Sequence, residues 1–171
     1  LHLSYTGSNW GLCSNAIHFV DLFFYFVNYK ENYEIKTNLK NRVFNSKRGL
    51  YYELKGKVSL KNSNSILTLD DNIKFKNSNL EISKGKLKYN VYYDLKRKSF
   101  LMKTNKRMSK KINIPLQSRL TLKFARELIK TGNCGLSSLT ESAKYHKIIF
   151  QFFKNSFTKL LNKKINHFPI T

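Results

Sequence analysis

Between residues 50 and 60 apolar and polar positions alternate. Leu50, Tyr52, Leu54, Gly56, Val58 and Leu60 fall on one side, and Tyr51, Glu53, Lys55, Lys57 and Ser59 on the other. A repeat of two belongs to a strand with one face in a core and one in water. The alternation returns at 86–96, with Leu87, Tyr89, Val91, Tyr93 and Leu95 inward and Lys86, Lys88, Asn90, Tyr92, Asp94 and Lys96 outward. Between these runs, 61–65 and 70–72 read as turns on either side of a short strand at 66–69, and 73–76 and 80–82 are shorter alternating pieces. Short turns between such strands predict an antiparallel sheet over 49–104.

The pattern changes on both sides of that zone. Residues 1–48 hold a turn-like 6–9, the single Trp10, a basic stretch with little periodicity, and an apolar run at 16–27 interrupted by His18 and Asp21. Ser14 or Asn15 is placed to cap that run as a short buried helix. Residues 105–171 begin in a basic connector and continue, after Pro115, into a helix that Ser118 is placed to cap. It runs through Leu120, Phe124, Leu128 and Ile129 and stops at Gly132. Ser138-Leu139-Thr140-Glu141 has the spacing of a capping box. Beyond it Tyr145, Ile148, Ile149, Phe152, Phe153, Phe157, Leu160, Leu161 and Ile165 keep to one helical stripe. The expected fold is α+β in one compact domain: an antiparallel β-meander, then a C-terminal helical hairpin packed on the open face of the sheet, with a short N-terminal apolar helix.

Charge decides what such a domain can partner. The 171 residues carry 32 Lys+Arg against 10 Asp+Glu, a formal charge of +22. At 41% hydrophobic and 14% aromatic the chain is too apolar for a disordered basic tail. A compact body with that charge repels itself unless something anionic neutralises it, which points to RNA, DNA or an acidic membrane surface. Lys, Asn, Ile, Phe and Tyr supply 80 of the residues, whereas Arg numbers 6 and Ala 3. The first group has codons rich in A and T, so an extremely A+T-rich coding sequence is expected. Lysines are then diffuse phosphate contacts, and the few arginines are placed for bidentate geometry.

Catalytic apparatus is hard to find. No G-x-G-x-x-G or G-x-x-x-x-G-K-[ST] loop occurs, so nucleotide hydrolysis is not expected. The adjacent acids Asp70 and Asp71 sit where a turn uses acids for local hydrogen bonds. Cys13, Cys134, His2, His18, His146 and His167 lack the spacing of a zinc site. A Cys134 nucleophile with His146 as base finds no motif to support it. No metal, cofactor, small-molecule substrate or enzymatic activity is therefore expected. The run at 16–27 falls short of the ~20 apolar residues of a membrane span and has neither a signal-peptide nor a transit-peptide pattern.

What remains is the basic surface. The outward side of the expected sheet carries Lys55, Lys57, Lys86, Lys88 and Lys96 beside Tyr51 and Tyr92, offering cations for phosphates and rings for unpaired bases. Arg97 and Lys98, the connector residues Lys103, Lys106, Arg107, Lys110 and Lys111, then Arg119, and finally Lys159, Lys163 and Lys164 extend it. In composition the chain resembles organelle-encoded ribosomal proteins: small, folded, lysine-rich and A+T-biased. That resemblance implies a structural rRNA-binding protein of a mitochondrial ribosome, in the matrix, with rRNA and neighbouring ribosomal proteins as partners. The alternative is an organelle-encoded accessory subunit of a membrane respiratory complex or ATP synthase, with residues 19–26 against a membrane subunit and the basic face on anionic lipid.

Overall fold

The computed structural model describes residues 1–27, 32–46, 49–94, 96–105, 109–114, 117–162, 164–165 and 167. In chain order the elements are β1 (His2–Gly7), α1 (Leu12–Phe26), β2 (Tyr33–Leu39), β3 (Phe44–Ser46), β4 (Gly49–Glu53), β5 (Gly56–Asn62), β6 (Ser65–Asp71), β7 (Asn79–Lys84), β8 (Leu87–Asp94), β9 (Ser99–Thr104), β10 (Ser109–Ile112), α2 (Gln117–Thr131) and α3 (Leu139–Leu160). Eight strands form one sheet in the order β10-β9-β8-β7-β1-β6-β5-β2, and β3 and β4 make a separate hairpin. β1 runs parallel to β6 and antiparallel to β7, and every other neighbouring pair in the large sheet is antiparallel. Because β2 is antiparallel to β5 and β5 to β6, β1 and β2 share a direction. They are the outer strands of a split β-α-β unit, with α1 as its crossover and the β5–β6 hairpin between them.

This corrects the expected fold. The sheet is mixed rather than a meander confined to 49–104. Its central strand β1 and its edge β2 come from the first 48 residues, and its other edge, β10, comes from the basic connector. The strand expected at 50–60 is two strands, because β4 turns into its hairpin and β5 restarts at Gly56. There φ is +127° and a Cβ would run into the Asn38 carbonyl of β2. The helices form no hairpin. α3 packs on α1 and β2, α1 packs on β6, and α2 engages no other element to a comparable extent. Of the apolar positions that suggested a packed helix, Leu128 and Ile129 of α2 are exposed and Leu120 and Phe124 are only half-buried.

The core lies between α1, α3 and one half of the sheet. Leu3 of β1, Val58 and Leu60 of β5, and Leu67 and Leu69 of β6 meet Val20 and Phe23 of α1, which are all fully buried. From α3, Ile148, Ile149, Phe152, Phe153 and Phe157 add the helical stripe, and the Phe24 and Tyr145 rings stack with centroids 5.0 Å apart. α3 starts with both halves of a capping box: Ser138 Oγ accepts from the Glu141 amide, and the Glu141 carboxylate accepts from the Ser138 amide at 2.8 Å.

Two outcomes follow for stability. Truncating the fully buried Phe153 to Ala costs ~3–5 kcal/mol, whereas Ile129→Ala, at a side chain 88% exposed, changes stability by less than ~0.5 kcal/mol; urea unfolding checks both. The Ser138 amide and hydroxyl, with Lys144 adding a smaller pull, hold the Glu141 carboxyl below its ordinary value. The capping contribution is present above the ordinary carboxylate range and is lost as pH falls through the lowered value, so Glu141→Gln flattens the acid limb of the stability profile.

Candidate functional site

The loop from β1 to α1 joins the centre of the sheet to the helix that covers it, and it would leave the first amides of α1 without partners. No side chain within the helix caps it: the N-cap is Gly11, at φ +79°, and neither Ser14 nor Asn15 takes that part. Two carboxylates from distant strands do so instead. Glu53 at the end of β4 accepts from the amides of Cys13 at 2.8 Å and Ser14 at 3.3 Å, and from the Ser14 hydroxyl. Asp71 at the end of β6 accepts from the amides of Asn9 at 2.7 Å and Gly11 at 3.3 Å. Both carboxylates are buried. Asp70 and Asp71 are thus the last residues of a strand, not a turn, and Asp71 reaches back some sixty residues.

Beside this loop lies a cleft of about 700 Å³ lined by Asn9, Trp10, Ser14, His18, Phe44 and Lys55 among others. It opens where the parallel strands β1 and β6 end and a helix begins, which is where α/β folds hold phosphate groups. Here the amides that would face a phosphate already bind Glu53 and Asp71, so a second anion would meet two buried negative charges. Arg42 and Lys55 lie over the Phe44 ring at 4.4 and 4.6 Å, and Lys55 also donates to Asn9 Oδ1. Burial, and after it the Glu53 carboxylate, push the Cys13 thiol well above its ordinary range, which keeps it protonated. The His146 ring turns back along α3, with Nδ1 2.8 Å from the Ser142 carbonyl. Among the described residues no three His, Cys, Asp or Glu side chains gather as a metal site.

The expected basic surface is dispersed. Lys57 and Lys88 do share the face of the large sheet turned away from the helices, but Lys88 is paired with Glu81 at 3.0 Å. Lys55 belongs to the cleft, Tyr51 to the small hairpin, and the Tyr92 ring is covered by Lys103 at 5.5 Å, so these groups make no common stacking platform. Lys86 lies in the β7–β8 turn, and Lys96, Arg97 and Lys98 in the β8–β9 turn. Lys110 and Lys111 sit on the edge strand β10, where charged side chains also discourage pairing with another sheet. Arg119 is exposed on α2, Lys159 is in the last turn of α3, where it complements the helix dipole, and Lys164 lies beyond that helix. Lys106, Arg107 and Lys163, like Leu95 and Pro115, fall outside the described residues.

Tyr93, which the alternation marked as inward, is instead open, whereas Tyr89 is half-buried. α1 and α3 cover β1, β2, β5 and β6, while Tyr93 of β8 and Phe100 of β9 are each 37% exposed on the same side of the sheet. Period-two alternation reports which residues share a face, not whether a helix is long enough to reach them.

No protein-family model matches the chain, and no curated protein matches it. Among solved structures it is similar to a dehydrogenase (MviM) from Clostridium difficile, at 13% identity and a TM-score of 0.48 over 90% of this chain and 53% of that one. The chain spans about half the length of that enzyme, and a likeness of this degree carries no argument about a reaction.

The carboxylate at the start of α1 has a direct readout. Glu53→Ala leaves three donors without their acceptor and lowers stability by ~3 kcal/mol. Iodoacetamide then reaches Cys13 in native buffer, whereas in the unchanged chain the half-buried Cys134 reacts first and Cys13 only on unfolding. Equal labelling of Cys13 in both proteins contradicts the assignment.

Proposed function

We propose that the chain is a non-catalytic, rRNA-binding structural protein of an organellar, mitochondrial ribosome. The observation that carries this reading is the excess of cations over every internal counter-ion. Ten carboxylates face 32 Lys and Arg, and two of those ten, Glu53 and Asp71, are buried against backbone amides rather than paired at the surface. The described ion pairs at Lys36, Lys88 and Lys123 are all solvent-exposed at the lysine, where such pairs contribute little. A polyanion with closely spaced phosphates supplies the missing counter-charge, and release of its own condensed ions favours the complex.

The membrane-subunit reading has less to rest on. It needed residues 19–26 to lie against a partner, but Val20, Phe23 and Phe24 are in the core and only Tyr25 and Phe26 at the end of the run are exposed. No helix among the described residues is long and apolar enough to cross a membrane.

Sedimentation of a native organelle lysate at low and high salt tests the proposal. The chain is expected to travel with ribosomal RNA and to be released by high salt or RNase. Migration with a detergent-extracted membrane complex, indifferent to RNase, contradicts it. In the purified protein, replacing Lys96, Arg97 and Lys98 together by Ala is expected to reduce the slope of log affinity against log salt by about 2, from ~0.7 per phosphate contact on a single strand.

A further inference from the structure

The strand register carries the core face of β1 outward past the helices. Tyr5 and Leu3 lie opposite Leu80 and Ile82 of β7, which lie opposite Val91 and Tyr89 of β8; Val91 and Tyr93 lie opposite Met102 and Phe100 of β9, and these opposite Lys110 and Ile112 of β10. Under β1 this face is sealed by α1. From β8 outward it is open: Leu87 is 55% exposed and Tyr93 and Phe100 are 37% exposed, the last two meeting edge to face with centroids 5.1 Å apart.

The charge on this face is one-sided. The residues that β7, β8, β9 and β10 present on it include Lys84 and Lys110 and no carboxylate, whereas the reverse side of the same strands carries Glu81 and Asp94 among Lys88, Lys103 and Lys111, with Asp94 accepting from the Arg97 amide at 3.0 Å. Exposed cations stand at both ends, Lys86 in the β7–β8 turn and Arg97 with its neighbours in the β8–β9 turn. Open rings on a sheet, bordered by cations and free of acids, fit the two parts of a single-stranded nucleic acid. Bases stack on the rings while the backbone runs between cations. Duplex RNA hides its base faces and has no use for the rings. A protein partner would need acids to meet the rim but would gain little from an aromatic pair held edge to face in a basic border.

We infer that the uncovered face of β8 and β9 binds unpaired bases of single-stranded RNA, stacked on Tyr93 and Phe100, with the phosphates neutralised by Lys84, Lys110 and Arg97. This rests on the RNA-binding reading above and adds which kind of RNA segment is held and where.

Binding of the full chain to a short labelled oligouridine and to an RNA duplex of equal length, followed by fluorescence anisotropy at low salt, tests it. The unchanged protein is expected to prefer the single strand. Tyr93→Leu with Phe100→Leu keeps the apolar contacts and removes the rings, so it retains the fold even where the double Ala variant does not. It is expected to weaken oligouridine binding between about tenfold and a hundredfold, leaving the salt slope and duplex binding unchanged. Oligouridine affinity equal to that of the unchanged protein overturns the inference while the RNA reading stands, as does equal preference for duplex and single strand in the unchanged chain. A leucine variant that keeps its RNA affinity but drops out of the native particle assigns the face to a protein partner and also overturns it. Failure of the unchanged chain to bind either RNA at low salt removes both readings.

Discussion

Two buried carboxylates fix the geometry of the chain. An α-helix begins with amides that no residue of its own can satisfy, and a buried carboxylate is tolerated only where donors surround it. At the start of α1 these two demands meet: Glu53 and Asp71, supplied by β4 and β6, accept from the amides of Asn9, Gly11, Cys13 and Ser14. The result ties the N-terminal loop to strands some forty and sixty residues away. It holds β1 at the centre of the sheet and sets α1 across β6. It also takes two of the few negative charges out of the surface, which leaves the exterior more cationic than the composition alone conveys.

From that anchoring comes an asymmetric body. α1 and α3 bring enough apolar surface to seal β1, β2, β5 and β6, and α2 is not drawn in to seal the remainder. The strands from β7 to β10 keep their alternation and their hydrogen-bonded register without a helix over the outer part of one face. On one side of those strands polar groups and ion pairs such as Lys88–Glu81 suit water. On the other, aromatic rings and lysines share a face with no acid on it. The incomplete cover therefore leaves rings and lysines together on one face, and this is the face that we propose an anionic partner with flat apolar groups occupies.

The helical stripe from Tyr145 to Phe157 and the capping box at Ser138 and Glu141 were legible in the sequence, because both are local and the repeat is sustained over several turns. β1 was not, though Leu3 and Tyr5 alternate with His2, Ser4 and Thr6: six residues are too short for a period of two to stand out, and the strand is held by neighbours far along the chain. β2 was hidden for a similar reason, since its edge position leaves Glu34, Lys36 and Asn38 in solvent and only Tyr33, Ile35 and Leu39 packed. The partners of Glu53 and Asp71 are long-range and leave no trace in spacing. Leu87, Tyr89, Val91 and Tyr93 do share one face, but Tyr93 on it is open rather than inward, because alternation holds no information about how far a helix extends.

Hydroxyl-radical footprinting of the free chain against the chain in its native particle bears most directly on the claim that a partner RNA completes the half-covered sheet. Tyr93 and Phe100 are expected to be oxidised in the free chain and protected in the particle, with RNase digestion restoring their oxidation and Phe153 unmodified throughout. Equal oxidation of Tyr93 and Phe100 in both states, or protection that survives complete removal of the RNA, would contradict that claim.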